Sequence, residues 1–235
     1  VSDCVALEQM MGGASLSAPS RPRLVVEVGM LNDARLEPEI RDNLNRAVAQ
    51  LIASGVSLDY RQIESLSRAR KLIHTLGWLG AKEAALFHRE LLDNPSARDQ
   101  VDQRVIKRLD AGRLISEEAV AKLRSARASL MTEVREELGD CVLISPTTVN
   151  TAPLLAPLEA DAELFASINM LTLSFTMVSS FLDMPSLAVP SGANAAGLHT
   201  SLQFSACQGN DENVFTAGLL WEQIQKGASV SESDQ

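Results

Sequence analysis

The sequence predicts an α/β fold, and two patterns carry that prediction. Leu24-Val25-Val26-Glu27-Val28-Gly29 reads as a buried strand. Ile40, Leu44, Val48, Leu51 and Ile52 follow at helical spacing, and Val56-Ser57-Leu58 then returns to a strand. This β-α-β alternation is the signature of the class. With 46% hydrophobic and 22% charged residues, the chain has enough apolar material for a sizeable core, and disorder is expected only at its ends.

Each element has its own local cause. Val1, Val5, Leu7, Met10 and Met11 predict a packed helix ending at Gly12-Gly13, and Ala14 to Pro22 predicts a Ser/Pro loop. Asn32 to Glu37 is a polar loop. Pro38 stands at the favoured first helical position, and Gly55 closes that helix. Trp78 to Leu92 predicts one helix stopped by Asn94-Pro95, and Val101, Val105 and Leu109 a second, stopped by Gly112. Ser116 caps a third, with Glu117 and Glu118 where a helix N-terminus favours negative charge. Its stripe is Val120, Leu123, Leu130, Met131, Val134 and Leu138, and Gly139 ends it.

Cys141 to Ile144 predicts a short strand that leads into Ser145-Pro146-Thr147-Thr148. Pro153 and Pro157 predict a continuing non-helical loop. Leu164 to Phe175 predicts a buried helix, Ser186 to Val189 a strand closed by Pro190-Ser191-Gly192, and Ser201 to Ala206 another strand. Asp211 to Gln225 predicts an amphipathic helix. The folded unit is expected to span residues 1–226, with a mobile polar tail over 227–235.

Composition narrows the function. Basic minus acidic residues is 21 − 30 = −9, so a broad phosphate-binding face is disfavoured and no direct nucleic-acid contact is expected. Cys4, Cys141 and Cys207 are odd in number and widely spaced, without a CxxC pair, which disfavours zinc and disulfides. A reducing, cytoplasmic setting fits best. Leu164 to Leu182 is uncharged, but seven of its nineteen residues are Ser, Thr or Asn, so it reads as a core element and not a membrane span. The opening at Val1, inside an apolar helical pattern, predicts a piece cut from a longer protein.

No nucleophile elbow, phosphate-binding glycine loop or dinucleotide fingerprint is present. His74, His88 and His199 have no partner at metal-ligand spacing and read as structural. Lys71, Lys82, Lys107, Lys122 and Lys226 lie in amphipathic helices, where nothing would depress a lysine enough to make it a base.

An ordered series of short patterns resembles the amidase-signature family. Ser2-Asp3-Cys4-Val5-Ala6-Leu7 resembles the family helix that follows its catalytic region. Leu86-Phe87-His88-Arg89-Glu90-Leu91-Leu92 and Arg108 to Gly112 with Ile115-Ser116 resemble later helices. Val142 to Thr147 with Ala152-Pro153 is similar to the family's strand ending in Pro-Thr. Ser180-Phe181-Leu182-Asp183 through Pro190 is similar to its "NFLD" variant, known in a subset of bacterial amidases. Gly197 to Gln203, and Asn210-Asp211-Glu212 with Trp221-Glu222, complete the series. Departures at Ser180, Met184-Pro185 and His199-Thr200 bear on the pocket's shape.

The resemblance implies the C-terminal half of a mixed sheet flanked by helices. It also implies a parent protein that cleaves a linear carboxamide with a Ser–Ser–Lys triad and no cofactor. No residue here matches that triad, so no catalytic residue is assigned to this chain, which is expected to be inactive alone. Its expected part is one wall of the substrate pocket, from the loop between Pro146 and Pro153 and the segment from Thr176 to Asp183. The candidates are Thr147, Thr148, Asn150 and Thr176, polar groups beside apolar walls, weighed against satisfaction of loop backbone. Arg108 is a candidate for gripping a substrate carboxylate, weighed against a surface ion pair. The expected partners are a small-molecule amide, the missing N-terminal half and further copies of the chain. One alternative is an amidotransferase component of related fold that feeds ammonia to a charged transfer RNA. Another is a non-catalytic binding or scaffold protein.

Overall fold

The computed structural model describes residues 1–12 and 22–233, with side chains to Gly227. The loop expected at Ala14 to Pro22 lies outside the described residues except for Pro22. The elements begin with α1 (Ser2–Met10), β1 (Leu24–Glu27), α2 (Val28–Leu31), α3 (Pro38–Ala53) and β2 (Leu58–Arg61). A helical middle follows: α4 (Glu64–Leu76), α5 (Leu79–Phe87), α6 (Arg89–Asp93), α7 (Pro95–Arg98), α8 (Gln103–Arg113) and α9 (Glu117–Leu138). The last part holds β3 (Val142–Pro146), α10 (Leu155–Ala160), α11 (Ala162–Thr172), α12 (Thr176–Phe181), β4 (Ser186–Ala193), β5 (His199–Ser205) and α13 (Asp211–Ser233).

The strands form one five-stranded mixed sheet in the order β2-β1-β3-β5-β4. β1 pairs parallel with β2 and β3, whereas β5 pairs antiparallel with β3 and β4. The fold is therefore α/β, as the sequence predicts. Pleating sends alternate residues to opposite faces. Val25 and Leu143 pack with α4, α9 and α12 on one side. Leu24, Val26, Val142, Ile144, Leu202 and Phe204 pack with α3 and α13 on the other. Each fully buried aliphatic side chain contributes roughly 1.5–3 kcal/mol, so Ile40, Leu44, Val48 and Leu51 account for the docking of α3.

Several local expectations hold. Pro38 starts α3. The Ser116 hydroxyl accepts from the Ala119 N–H and caps α9, which Gly139 ends at φ 59°.

Others are corrected. β1 stops at Glu27 and not at Gly29, because the buried Glu27 carboxylate accepts from the Met30 N–H and starts α2. α1 is a helix but has no buried residue; Leu7, Met10 and Met11 are exposed. The segment from Trp78 to Leu92 divides at His88, whose N–H closes α5 on the Ala84 carbonyl. Gly112 does not stop α8. A Cβ there would stand 2.2 Å from the Ala81 carbonyl oxygen, so the glycine permits α5 and α8 to approach closely.

Pro157 lies inside α10, within its first turn, where a missing N–H costs no helical bond. α11 has no buried residue, whereas Met177, Val178, Ser179 and Phe181 of α12 are buried; the turn between them shifts burial from one helix to the next. β4 runs through Pro190 to Ala193 as an irregular edge strand, a place that tolerates proline. α13 continues beyond Gln225 to Ser233. Among the described residues no helix is long and apolar enough to cross a membrane.

Candidate functional site

A cavity of about 600 Å³ opens where the end of β3, α12, the start of β4 and β5 converge. Thr147, immediately after β3, and Thr176, the first residue of α12, both line it. Ser179, Ser180 and Asp183 of the same segment line it as well. Asp183 adopts φ 57°, a left-handed conformation that Asp tolerates better than most residues. Its carboxylate accepts from Gln208 Nε2 at 2.6 Å and lies 3.7 Å from the Arg127 guanidinium. Those contacts hold the rim between α9 and the loop before α13.

Beneath the cavity lies a polar cluster. Gln203 Nε2 approaches Ser179 Oγ at 3.0 Å, Ser205 Oγ at 2.9 Å and Ser186 Oγ at 3.3 Å. The Ser186 and Ser205 hydroxyls are 2.8 Å apart. Gln203, Ser179 and Ser205 are buried, so each needs the others to offset lost hydration. Thr147 Oγ1 is buried at the cavity wall with no hydrogen-bond partner. A hydroxyl can donate one hydrogen bond and accept others, and no protein group uses that capacity here.

The other candidates stand elsewhere. Thr148 Oγ1 donates to the Asn150 carbonyl, while the Asn150 amide donates to the Thr151 carbonyl and accepts from Thr172 Oγ1. Both side chains fasten the loop and neither lines the cavity. Arg108 is exposed on α8 and lines a separate hollow of about 160 Å³ with Trp78 and Val105. The structure thus brings Thr147 and Thr176 together and leaves Thr148, Asn150 and Arg108 apart.

Gln203, Ser179, Ser186 and Ser205 went unread in the sequence. A signal was present: Ser201, Gln203 and Ser205 alternate with Leu202 and Phe204, which puts a polar row on one face of a strand. Lys82 also differs from its reading as an ordinary amphipathic-helix lysine. It is buried, donates to the Ile115 carbonyl at 2.8 Å and pairs with Glu117 at 3.0 Å.

The cavity can bind polar groups, but among the described residues its lining contains no Lys or His that would deprotonate a serine. Among the described residues no cluster of three or more His, Cys, Asp or Glu could hold a metal ion. Cys4, Cys141 and Cys207 are free thiols.

The family described as Amidase matches residues 16–215. The chain belongs to the amidase family. Among solved structures it is similar to a protein titled as an amidase, at 23% identity and TM-score 0.74 over 95% of this chain. It spans about half, 50%, of that protein's length. It also resembles the allophanate hydrolase of Kluyveromyces lactis, at 20% identity and TM-score 0.69, covering 87% of this chain and 33% of the other. A 6-aminohexanoate cyclic dimer hydrolase in complex with substrate aligns at 22% identity and TM-score 0.60, covering 86% of this chain and 46% of the other. These likenesses establish a shared fold. No curated protein matches this amidase-family chain.

Proposed function

We propose that this chain is part of an amide hydrolase and supplies one wall of its substrate cavity. The nucleophile and its base, a Ser–Ser–Lys triad, lie outside these 235 residues, and the chain alone does not turn substrate over. The observation that carries the proposal is the cavity itself. Its wall offers the Thr147 hydroxyl, which has no protein partner, and the Gln203 amide, yet its described lining residues include no Lys, Arg or His. A carboxamide both donates and accepts hydrogen bonds, which this lining can answer. The family and a neighbour titled as an amidase support cleavage of an amide, which we read as a linear carboxamide.

The remaining pocket wall comes from a missing N-terminal half of the same domain, and until it is present the exposed surfaces favour self-association. The free thiols Cys4, Cys141 and Cys207 support a cytoplasmic setting.

NMR titration of the chain with isobutyramide tests the cavity assignment. The reading predicts saturable shifts concentrated at Thr147, Thr176 and Gln203. Shifts elsewhere only, or none at saturating amide, would refute it.

A further inference from the structure

A second cavity, of about 580 Å³, is lined by parts of α4, α11 and the turn into α12. One side is cationic, with Arg35, Arg70 and Lys71. The floor is apolar, with Ile73, Met170, Leu171 and Met177. This concentration of positive charge occurs in a chain whose net charge is −9.

The charges do not cancel. Asp33 accepts from Arg35 Nη2 at 2.7 Å and from Arg70 Nη1 at 2.8 Å, so one carboxylate serves two guanidiniums. The Arg70 guanidinium also lies 5.9 Å from the centre of the Phe175 ring, which fixes it in place. The Lys71 ammonium has no acidic partner among the described residues. Ser174 lines the same cavity, and its buried hydroxyl has no hydrogen-bond partner. With no protein group to bond it, that hydroxyl is available to an acceptor placed in the cavity.

We propose that this cavity binds a small organic carboxylate. The carboxylate sits among Lys71, Arg70 and the Ser174 hydroxyl, and the apolar body packs on Met170, Leu171 and Met177. The apolar floor selects an organic body over a bare inorganic anion, because apolar surface gains nothing from contact with phosphate. Asp33 already engages the two guanidiniums as a carboxylate would, and the surplus charge leaves room for a second. The proposal is independent of the amide cavity.

Isothermal titration with sodium benzoate, benzyl alcohol and inorganic phosphate as probes tests it on the chain and on Lys71→Glu and Met170→Glu. Both positions are exposed, and circular dichroism verifies that the variants fold. Saturable benzoate binding is expected, weaker by about tenfold in either variant, with benzyl alcohol and phosphate weaker by at least about tenfold on the parent chain. Absence of saturable benzoate binding to the parent chain overturns the proposal. So does benzoate affinity unchanged in Lys71→Glu or in Met170→Glu, or phosphate or benzyl alcohol binding as tightly as benzoate.

Discussion

The side-chain amide of Gln203 lies 3.0 Å from the Ser179 hydroxyl and joins β5 to α12 beneath the candidate cavity. Both residues are buried, so the contact is shielded from water. Replacing Gln203 by Leu strands the Ser179 hydroxyl, which should cost about 1–3 kcal/mol. Urea unfolding of Gln203→Leu should show a lower midpoint with an unchanged slope. An unchanged midpoint would mean that the cluster contributes nothing to stability.

Two glycines should respond to alanine by different mechanisms. At Gly112 a Cβ would meet the Ala81 carbonyl at 2.2 Å, so Gly112→Ala must separate α5 from α8, at about 2–3 kcal/mol. At Gly139 the added Cβ meets open space, and only the backbone at φ 59° and ψ −132° is strained, at about 1–3 kcal/mol. Thermal melts should show both variants less stable than the parent; an unchanged midpoint in either would remove its mechanism.

These two glycines also show what the sequence could and could not reveal. Gly139 and Ser116 act within one turn of helix, so neighbouring residues suffice to read them. Gly112 reads equally well as a stop, because its reason is the Ala81 carbonyl on another helix. Lys82 reads as solvated for the same reason, its partners Ile115 and Glu117 lying more than thirty positions away. In the cavity, Thr147 and Thr176 were legible as polar groups beside apolar runs. The bonding of Gln203 to Ser179 depends on how β5 meets α12, which no local pattern encodes.

Asp33 gives the fold an acid-sensitive contact. The Arg35 side chain beside it, aided by Arg70 and opposed by burial, holds its carboxyl at about 2, below the ordinary 3.8. A depressed folded value stabilises the protein above the unfolded value, and that stability is lost as pH falls through the folded one. After solvent screening the contribution is about 1 kcal/mol. Between about pH 5 and pH 2 the parent should lose that much more stability than Asp33→Asn. Parallel losses in urea unfolding would remove the ion pair from the account.

The exposed helix α1 and the edge strand β4 predict self-association. Leu7 is 57% and Met10 83% exposed, an apolar surface that water disfavours. β4 pairs only with β5 among the described residues, and an unpaired strand edge recruits partners. Light scattering should show mass above the monomer, shifting toward monomer in the Leu7→Glu, Met10→Lys double variant. A monodisperse parent monomer would contradict the prediction.

The central claim is that the chain shapes a substrate wall without supplying the catalytic nucleophile. Its most direct test is ammonia release from aliphatic and aryl carboxamides by the purified 235-residue chain, against a buffer control. The account predicts no release above the control. Sustained release that scales with chain concentration would contradict it and place a working nucleophile within these residues.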